Sequence, residues 1–133
     1  MRPILILAAT VFFLLLAANT NAGRHSYTCE VLSVYDLADS GILELSDYAE
    51  KMKGGAFTVS RITGHIMGEV LSTKLSKLTQ VINRGSSENA FKATANFGHQ
   101  VQLLEIQEFH QGPIKPFVAM SMGGAGVVTG ICK

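Results

Sequence analysis

The segment Phe91-Lys-Ala-Thr-Ala-Asn-Phe97 decides the fold class, because apolar and polar side chains alternate along it. Phenylalanine and alanine occupy every second position, and lysine, threonine and asparagine occupy the positions between them. In an extended strand, successive side chains point to opposite faces of the sheet. The segment therefore predicts a strand with one face in the core and the other in water, within an all-β fold.

Similar short apolar segments, separated by turns that contain glycine or proline, lie on both sides of this strand. Residues 57–61 and 65–67 flank Ile62-Thr63-Gly64, where glycine can take the positive φ of a tight turn, and they predict a hairpin. Further strands are predicted at residues 27–35, 78–83, 100–109, 117–122 and 127–132. In the strand at 100–109, the adjacent Leu103 and Leu104 predict burial on both faces. The chain is expected to hold about seven or eight short strands.

One stretch carries helix signals at both ends. Ser46 is the predicted N-cap, and Asp47 lies in the first turn, where the helix dipole favours an acid. Lys51 and Lys53 come shortly before Gly54, as expected at a helix C-terminus. These signals predict a helix of one or two turns.

Residues 69–76 do not indicate a single structure. Leu71, Leu75 and Leu78 have helical spacing, but the stretch has no cap and contains Ser72 and Thr73, which are poor helix formers. We therefore predict the end of a strand followed by a loop.

Residues 1–22 have the pattern of a signal peptide. Arg2 gives a positive start, an apolar run broken by Thr10 follows, and small or polar residues precede a cut between Ala22 and Gly23. The alternative is a membrane anchor, but the run is shorter than the roughly 20 apolar residues of a spanning helix. We expect a single mature β domain of residues 23–133, exported to the periplasm or the medium, without a membrane span.

The mature chain has no net charge. The whole sequence has 11 basic and 10 acidic residues, and Arg2 is the charged residue that leaves with the signal peptide. A neutral chain lacks the basic surface that nucleic-acid binding requires, so no nucleic-acid partner is expected.

Cys29 and Cys132 are the two cysteines of the chain. In an oxidising compartment they are predicted to form one disulfide that encloses most of the domain. The alternative is a redox-active or metal-binding pair, but their spacing is not the Cys-x-x-Cys arrangement that lowers a thiol pKa. Because the Cα atoms of a disulfide are usually about 4.4–6.8 Å apart, the first and last strands must meet.

An antiparallel meander whose first and last strands meet is typical of a small closed or partly open β-barrel. A β-sandwich is the alternative, because two packed sheets can also bring those strands together. We therefore predict a barrel with one short helix and keep the sandwich as the second architecture.

Several stretches resemble a group of small exported bacterial proteins to which no activity is assigned. These stretches are residues 57–64 with Gly68, 83–92, 104–109, 115–117 and 129–132, and the resemblance covers about two thirds of the mature chain. It implies a bacterial, exported, single-domain protein and no catalytic residues. The Tyr-x-Cys start at Tyr27 and the single-disulfide barrel are also similar to the periplasmic lysozyme inhibitors, but their Ser-Gly-x-x-Tyr loop has no counterpart here.

No catalytic motif is complete in the sequence. Ser121 lacks the glycine two residues earlier that a nucleophile elbow has. Too few residues follow Gly126 for the βαβ unit of a dinucleotide site. Glu105 and Glu108 point to opposite faces of a strand, so they do not form an acid–base pair by themselves. We predict a non-enzymatic protein without a cofactor, with a hydrolase as a weaker alternative.

The histidines His25, His65, His99 and His110 do not have the spacing of metal ligands. They are predicted to be surface or turn residues, and a composite metal site is the alternative. Arg61 and Lys92 are interpreted as residues on the water-facing sides of their strands.

Two functions remain as hypotheses. In the first, the interior or the mouth of the barrel takes a small apolar ligand, since barrels of about eight strands can hold one. The predicted lining consists of small or flexible apolar side chains, namely Met67, Ala93, Ala95, Met120 and Met122.

In the second hypothesis, the chain is a periplasmic interaction protein, such as an enzyme inhibitor or an envelope accessory factor, that contacts a protein partner through two loops. The predicted contact residues are Arg84, Ser86, Ser87, Glu88 and Asn89 in one loop, and His110 and Lys115 in the other.

Overall fold

A computed structural model of the protein describes residues 25–123 and 126–133. The leader and the predicted cut between Ala22 and Gly23 lie outside the described residues. The described chain contains nine strands and one short helix, which confirms the all-β prediction. In chain order they are β1 (Ser26–Leu37), β2 (Leu43–Leu45), α1 (Ala49–Met52), β3 (Ala56–Ser60), β4 (Ile66–Gly68), β5 (Leu78–Arg84), β6 (Phe91–Asn96), β7 (Val101–Ile106), β8 (Lys115–Ser121) and β9 (Gly126–Cys132).

The strands form one antiparallel sheet that curls into a partly open barrel. Eight of them follow in the order β4-β3-β1-β9-β8-β7-β6-β5, and β2 pairs with the far end of β1. The inward faces of this sheet share one hydrophobic core. β4 and β5 are the two edges of the sheet, and the opening between them is called the seam below.

The predicted meeting of the first and last strands is confirmed, but it does not close the barrel. A disulfide joins Cys29 of β1 to Cys132 of β9, with Cα atoms 4.0 Å apart. Gly130 allows the two strands to approach closely, because a Cβ there would overlap the carbonyl oxygen of Glu30 and the ring of Phe117. The β3–β4 hairpin lies on the other side of β1, so the disulfide is in the middle of the sheet and the edges meet elsewhere.

Alternate side chains of the strands fill the barrel interior. Phe91, Ala93 and Ala95 are buried, as the alternation along β6 predicted. Phe57 and Phe117 pack edge to face across the interior with ring centroids 5.2 Å apart. Burial of each large apolar side chain stabilises the fold by about 1.5–3 kcal/mol, so this core is the main source of stability.

The helix begins later than its sequence signals predicted. α1 starts at Ala49, and Tyr48 is its N-cap without a side-chain cap hydrogen bond. Ser46 is buried, and its Oγ accepts a hydrogen bond from the Tyr48 backbone N–H at 3.2 Å. The serine therefore caps the turn before the helix, and the prediction of Ser46 as the helix N-cap was wrong.

Two strands also differ from their predictions. β2 was not predicted, because its three residues are all exposed and show no inward face. In β7 burial falls on one face: Leu104 is buried, Leu103 is half-buried, and Gln102 points inward with Leu104. Residues 69–77 form neither strand nor helix, which agrees with the predicted loop.

Candidate functional site

The two predicted contact loops lie side by side at one end of the barrel. One follows β5 and the other follows β7, and the register pairs Arg84 with Phe91 and Phe91 with Ile106, so both loops leave the sheet at the same end. A Cβ at Gly85 would lie 2.9 Å from the Glu108 Cβ, which shows that the loops touch. The structure therefore brings the two sets of predicted contact residues together.

Hydrogen bonds within each loop fix its backbone and leave side chains exposed. Ser86 Oγ accepts hydrogen bonds from the backbone N–H groups of Glu88 and Asn89, both at 3.1 Å. Lys115 Nζ donates to the carbonyl oxygens of Glu108, at 3.0 Å, and of His110. Ser87, Glu88 and His110 are exposed. Loops held in this way are suited to recognition, because little conformational entropy is lost when a partner binds.

A polar network that the sequence did not predict joins these loops to β1 and to the turn after β3. The Tyr27 hydroxyl donates to Glu108 Oε2 at 2.7 Å, and Arg61 Nη2 lies 3.6 Å from Glu108 Oε1. The Arg61 guanidinium lies 4.8 Å from the centroid of the Tyr27 ring and donates to the Arg84 carbonyl oxygen at 3.4 Å. The network spans the seam at this end of the barrel.

The interpretation of Arg61 as a residue that simply faces water was incomplete, since its side chain makes these contacts. Lys92 does lie on the outer face of β6, where Lys92 Nζ is 3.4 Å from Glu105 Oε2 on β7. The contact between Tyr27 and Glu108 joins residues 81 positions apart. Neither spacing nor motif in the sequence indicates this contact, because it depends on how the sheet curls.

The network stabilises the structure and leaves Tyr27 in its neutral form. Burial, and then the hydrogen bond to Glu108, raise the pKa of the Tyr27 phenol above its usual value, while the charge of Arg61 partly opposes this. A phenol with a raised pKa stays protonated at neutral pH and acts as a hydrogen-bond donor rather than as a base.

Side chains also cross the seam in its middle. The buried Thr73, in the loop between β4 and β5, accepts a hydrogen bond from the Ile66 backbone N–H at 2.9 Å. His65 Nδ1 lies 3.2 Å from Thr73 Oγ1, and His65 Nε2 lies 3.3 Å from Thr79 Oγ1 on β5. Gly64, at φ +76, turns the hairpin beneath β5 and β6, where a Cβ would lie 3.1 Å from that of Ala93.

Two surface grooves lie along the outside of the seam. The first has a volume of about 610 Å³ between the β3–β4 turn and β5, and its lining includes Ile62, His65, Lys77 and Arg84. The second, of about 540 Å³, is lined by His25, Arg61, Ile62, Arg84 and Gly85. Because Ile62 and Arg84 line both, the two grooves adjoin each other, and together they are called the seam groove below.

The five residues predicted to line a ligand cavity do not share one space. Ala93 and Ala95 point into the barrel, where the gap beside them has no room for a water molecule. Met67 and Met122 are 71% and 70% exposed, and Met120 is 42% exposed. The three methionines therefore do not line the interior, because they lie on outer or terminal surfaces of the sheet, and a lining role at the mouth of the barrel stays a prediction.

The described residues contain no group of three or more histidine, cysteine, aspartate or glutamate side chains that could hold a metal ion. His25 and His65 line the seam groove, and His99 and His110 are exposed elsewhere. Within residues 25–123 and 126–133, no helix has the length and apolar character to cross a membrane.

The disulfide between Cys29 and Cys132 is typical of a protein that folds in an oxidising, non-cytoplasmic environment. Comparisons with protein-family models, with curated proteins and with solved structures find no match to this chain.

Proposed function

We propose that the mature chain is an exported, non-enzymatic interaction protein that binds a protein partner in the seam groove. The observation that carries this proposal is the position of the groove: it lies along the opening of the barrel and reaches Gly85, which contacts the second loop at Glu108. Protein interfaces combine apolar area with polar and charged groups, as this groove combines Ile62 with Arg84. Both loops and the groove thus form one continuous surface.

Export is supported by two independent features. The leader of residues 1–22 has the pattern of a cleaved signal peptide. The disulfide matches the compartment to which such a leader delivers a protein. The resemblance to small exported bacterial proteins agrees with the same location, and an enzyme inhibitor or an envelope accessory factor is the class of role that suits it.

The polar groups next to the groove support binding rather than turnover. Glu108 is held by Tyr27 and Arg61, so its carboxylate already has its partners. The Tyr27 phenol is buried and keeps its proton. Groups in these states position the loops but do not supply a nucleophile or a free base.

The apolar-ligand hypothesis receives less support than the interaction hypothesis. The interior near Ala93 and Ala95 is filled by neighbouring side chains, including Leu104 and Ile66. An apolar ligand would have to displace part of this core, which would cost the burial energy that stabilises the fold. An outer surface requires no such rearrangement.

The test is affinity capture from the cell envelope with the oxidised mature protein and two matched double variants. The first variant, Ile62→Ser with Arg84→Glu, changes one exposed apolar and one exposed basic residue of the seam groove. The control, Leu45→Ser with Lys53→Glu, makes equivalent changes away from the groove, on β2 and just after α1.

We expect mass spectrometry to identify a partner that rebinds as a purified protein. The first variant should lose this partner, and the control should keep it. Equal capture by all three proteins, or no partner that rebinds, would contradict the proposal. Circular dichroism of each variant confirms that loss of binding is not loss of folding.

A further inference from the structure

The two edge strands of the sheet differ in how their outer backbone groups are bonded. At β4, Ile66 N–H donates to Thr73 Oγ1, and Ile66 C=O accepts from Thr73 N–H at 3.0 Å. At β5, the described groups that reach across the seam are side chains. His65 Nε2 lies 3.3 Å from Thr79 Oγ1, and Arg61 Nη2 donates to the Arg84 carbonyl oxygen at 3.4 Å. β5 therefore presents backbone donors and acceptors to the seam groove.

The edge of β5 has few of the features that protect edge strands from pairing. It contains no proline, and Leu78 and Ile82 are 61% and 58% exposed. A bulge between Val81 and Asn83 interrupts its pairing with β6, which leaves residues 78–81 as the regular part of the edge. An exposed apolar edge of this kind is a template for another strand.

Basic residues that line the seam groove lie at both ends of β5. Lys77 precedes the strand and Arg84 ends it, and both line the groove with His65. The described residues that line the two parts of the groove include no aspartate or glutamate. Seven residue steps of about 3.3 Å separate the two basic positions by about 23 Å, the length of a short extended segment.

We propose, on the basis of the proposed function, that the partner enters as an extended acidic segment that pairs with β5 and adds one strand to the sheet. Its backbone hydrogen-bonds to residues 78–81, its terminal carboxylates lie near Lys77 and Arg84, and its central side chains pack beside Ile62. Strand addition of this type takes affinity from the backbone and specificity from the side chains.

A second copy of the chain fits this edge less well than an acidic partner. If two β5 strands paired antiparallel about a twofold axis, the Lys77 end of each would lie beside the Arg84 end of the other. Like charges opposite each other in a strand pair are destabilising. The charge of the groove therefore selects a segment of opposite sign.

The test uses blocked synthetic peptides titrated into the oxidised mature protein and followed by NMR. The probe is Glu-Val-Thr-Val-Thr-Val-Glu, and its analogue has lysine at both ends. Two further copies of the probe carry N-methyl groups on one or the other set of alternate amides. One set faces β5 and the other faces away, so one methylated peptide is expected to lose binding and the other to keep it.

We expect the glutamate peptide to bind about tenfold more tightly than the lysine analogue, because two attractive exposed ion pairs become two repulsive ones. Lys77→Glu with Arg84→Glu should reverse this preference. Lys51→Glu with Lys53→Glu, which makes the same charge change near α1, should leave it unaltered.

Three results would overturn the pairing of an acidic segment with β5. They are equal binding of the two end-charged peptides, equal binding of both methylated peptides, and a preference for glutamate that survives the Lys77→Glu, Arg84→Glu change. So would a concentration-dependent dimer that excludes the peptide. If these peptides fail while partner capture still depends on Ile62 and Arg84, the proposed function stands and this mode of binding falls. If capture is also independent of the groove, the proposed function falls with it.

Discussion

Replacement of Tyr27 by phenylalanine removes one hydroxyl group and keeps the buried ring, so it isolates the hydrogen bond to Glu108. The hydroxyl donates to a carboxylate oxygen at 2.7 Å. Hydrogen bonds to charged groups contribute about 1.5–3 kcal/mol to stability. The Glu108 side chain is 21% exposed, so water can replace the lost donor. We therefore expect the free energy of unfolding to fall by about 1.5 kcal/mol, at the lower end of that range.

The effect of this substitution should depend on pH in a defined direction. The fold raises the pKa of Tyr27, so the folded chain keeps the phenol proton where the unfolded chain, with a pKa of about 10, has lost it. Stability from this group is complete below about pH 10 and is lost as the pH rises. At pH 11, ionisation of the unfolded chain is favourable by about 1.4 kcal/mol. The advantage of wild type over Tyr27→Phe should therefore nearly vanish by pH 11.

The assay is urea unfolding of the oxidised proteins, followed by circular dichroism, at several pH values between 8 and 11. Tyr48→Phe is the matched control, because that side chain is 65% exposed and lies beside α1. It should change stability little and to the same extent at every pH. A difference between wild type and Tyr27→Phe that stays constant up to pH 11 would refute the reasoning on the Tyr27 proton.

Three further outcomes are expected. Reduction of the disulfide between Cys29 and Cys132, which are 103 positions apart, should lower the free energy of unfolding by about 4–5 kcal/mol; a loss below about 1 kcal/mol in a denaturant titration would contradict a role in restricting the unfolded chain. Gly130→Ala should destabilise the fold by more than about 3 kcal/mol in the same titration, whereas Gly126→Ala on the same strand, where a Cβ would lie in ordinary contact 3.9 Å from Asp36 Oδ1, should cost less than about 1 kcal/mol. N-terminal sequencing of the exported protein should begin at Gly23, and a protein that keeps its leader would exclude cleavage there.

β6 was the strand predicted most directly, because its side chains alternate over several residues. The inward face of β6 consists of Phe91, Ala93 and Ala95, because burial on one face of a sheet requires an apolar side chain at every second residue. β2 has no inward face of this kind, since it pairs with one end of β1 and both its faces are exposed to water. Ser46 is a cap residue in its chemistry, but sequence alone does not distinguish the turn before a helix from the helix itself.

The candidate site was predicted in part, through its loops. Glycine, proline and polar residues mark the loops, and the antiparallel order of β5 to β8 places both at one end of the barrel. The network of Tyr27, Arg61 and Glu108 was not predictable. Tyr27 lies on β1, Arg61 follows β3 and Glu108 follows β7, and these positions meet only because the sheet curls. The sequence allowed both a closed and a partly open barrel, because the meeting of Cys29 with Cys132 does not locate the sheet edges. The hairpin beyond β1 moves the edges away from that disulfide and leaves the barrel partly open.

The disulfide lies between two strands that are neighbours in the sheet but are the first and the last strand in the described chain. Read across the sheet from β5, the strands run β5 to β9 and continue with β1, β3 and β4. This is a circular permutation of a plain up-and-down meander, in which the chain is interrupted between β9 and β1 and the loop of residues 69–77 reconnects the two edges. Lys133 exchanges backbone hydrogen bonds with Thr28 across the interruption. The disulfide between Cys29 and Cys132 thus lies where a hairpin turn would connect β9 to β1, and it links the two strands covalently in place of that turn.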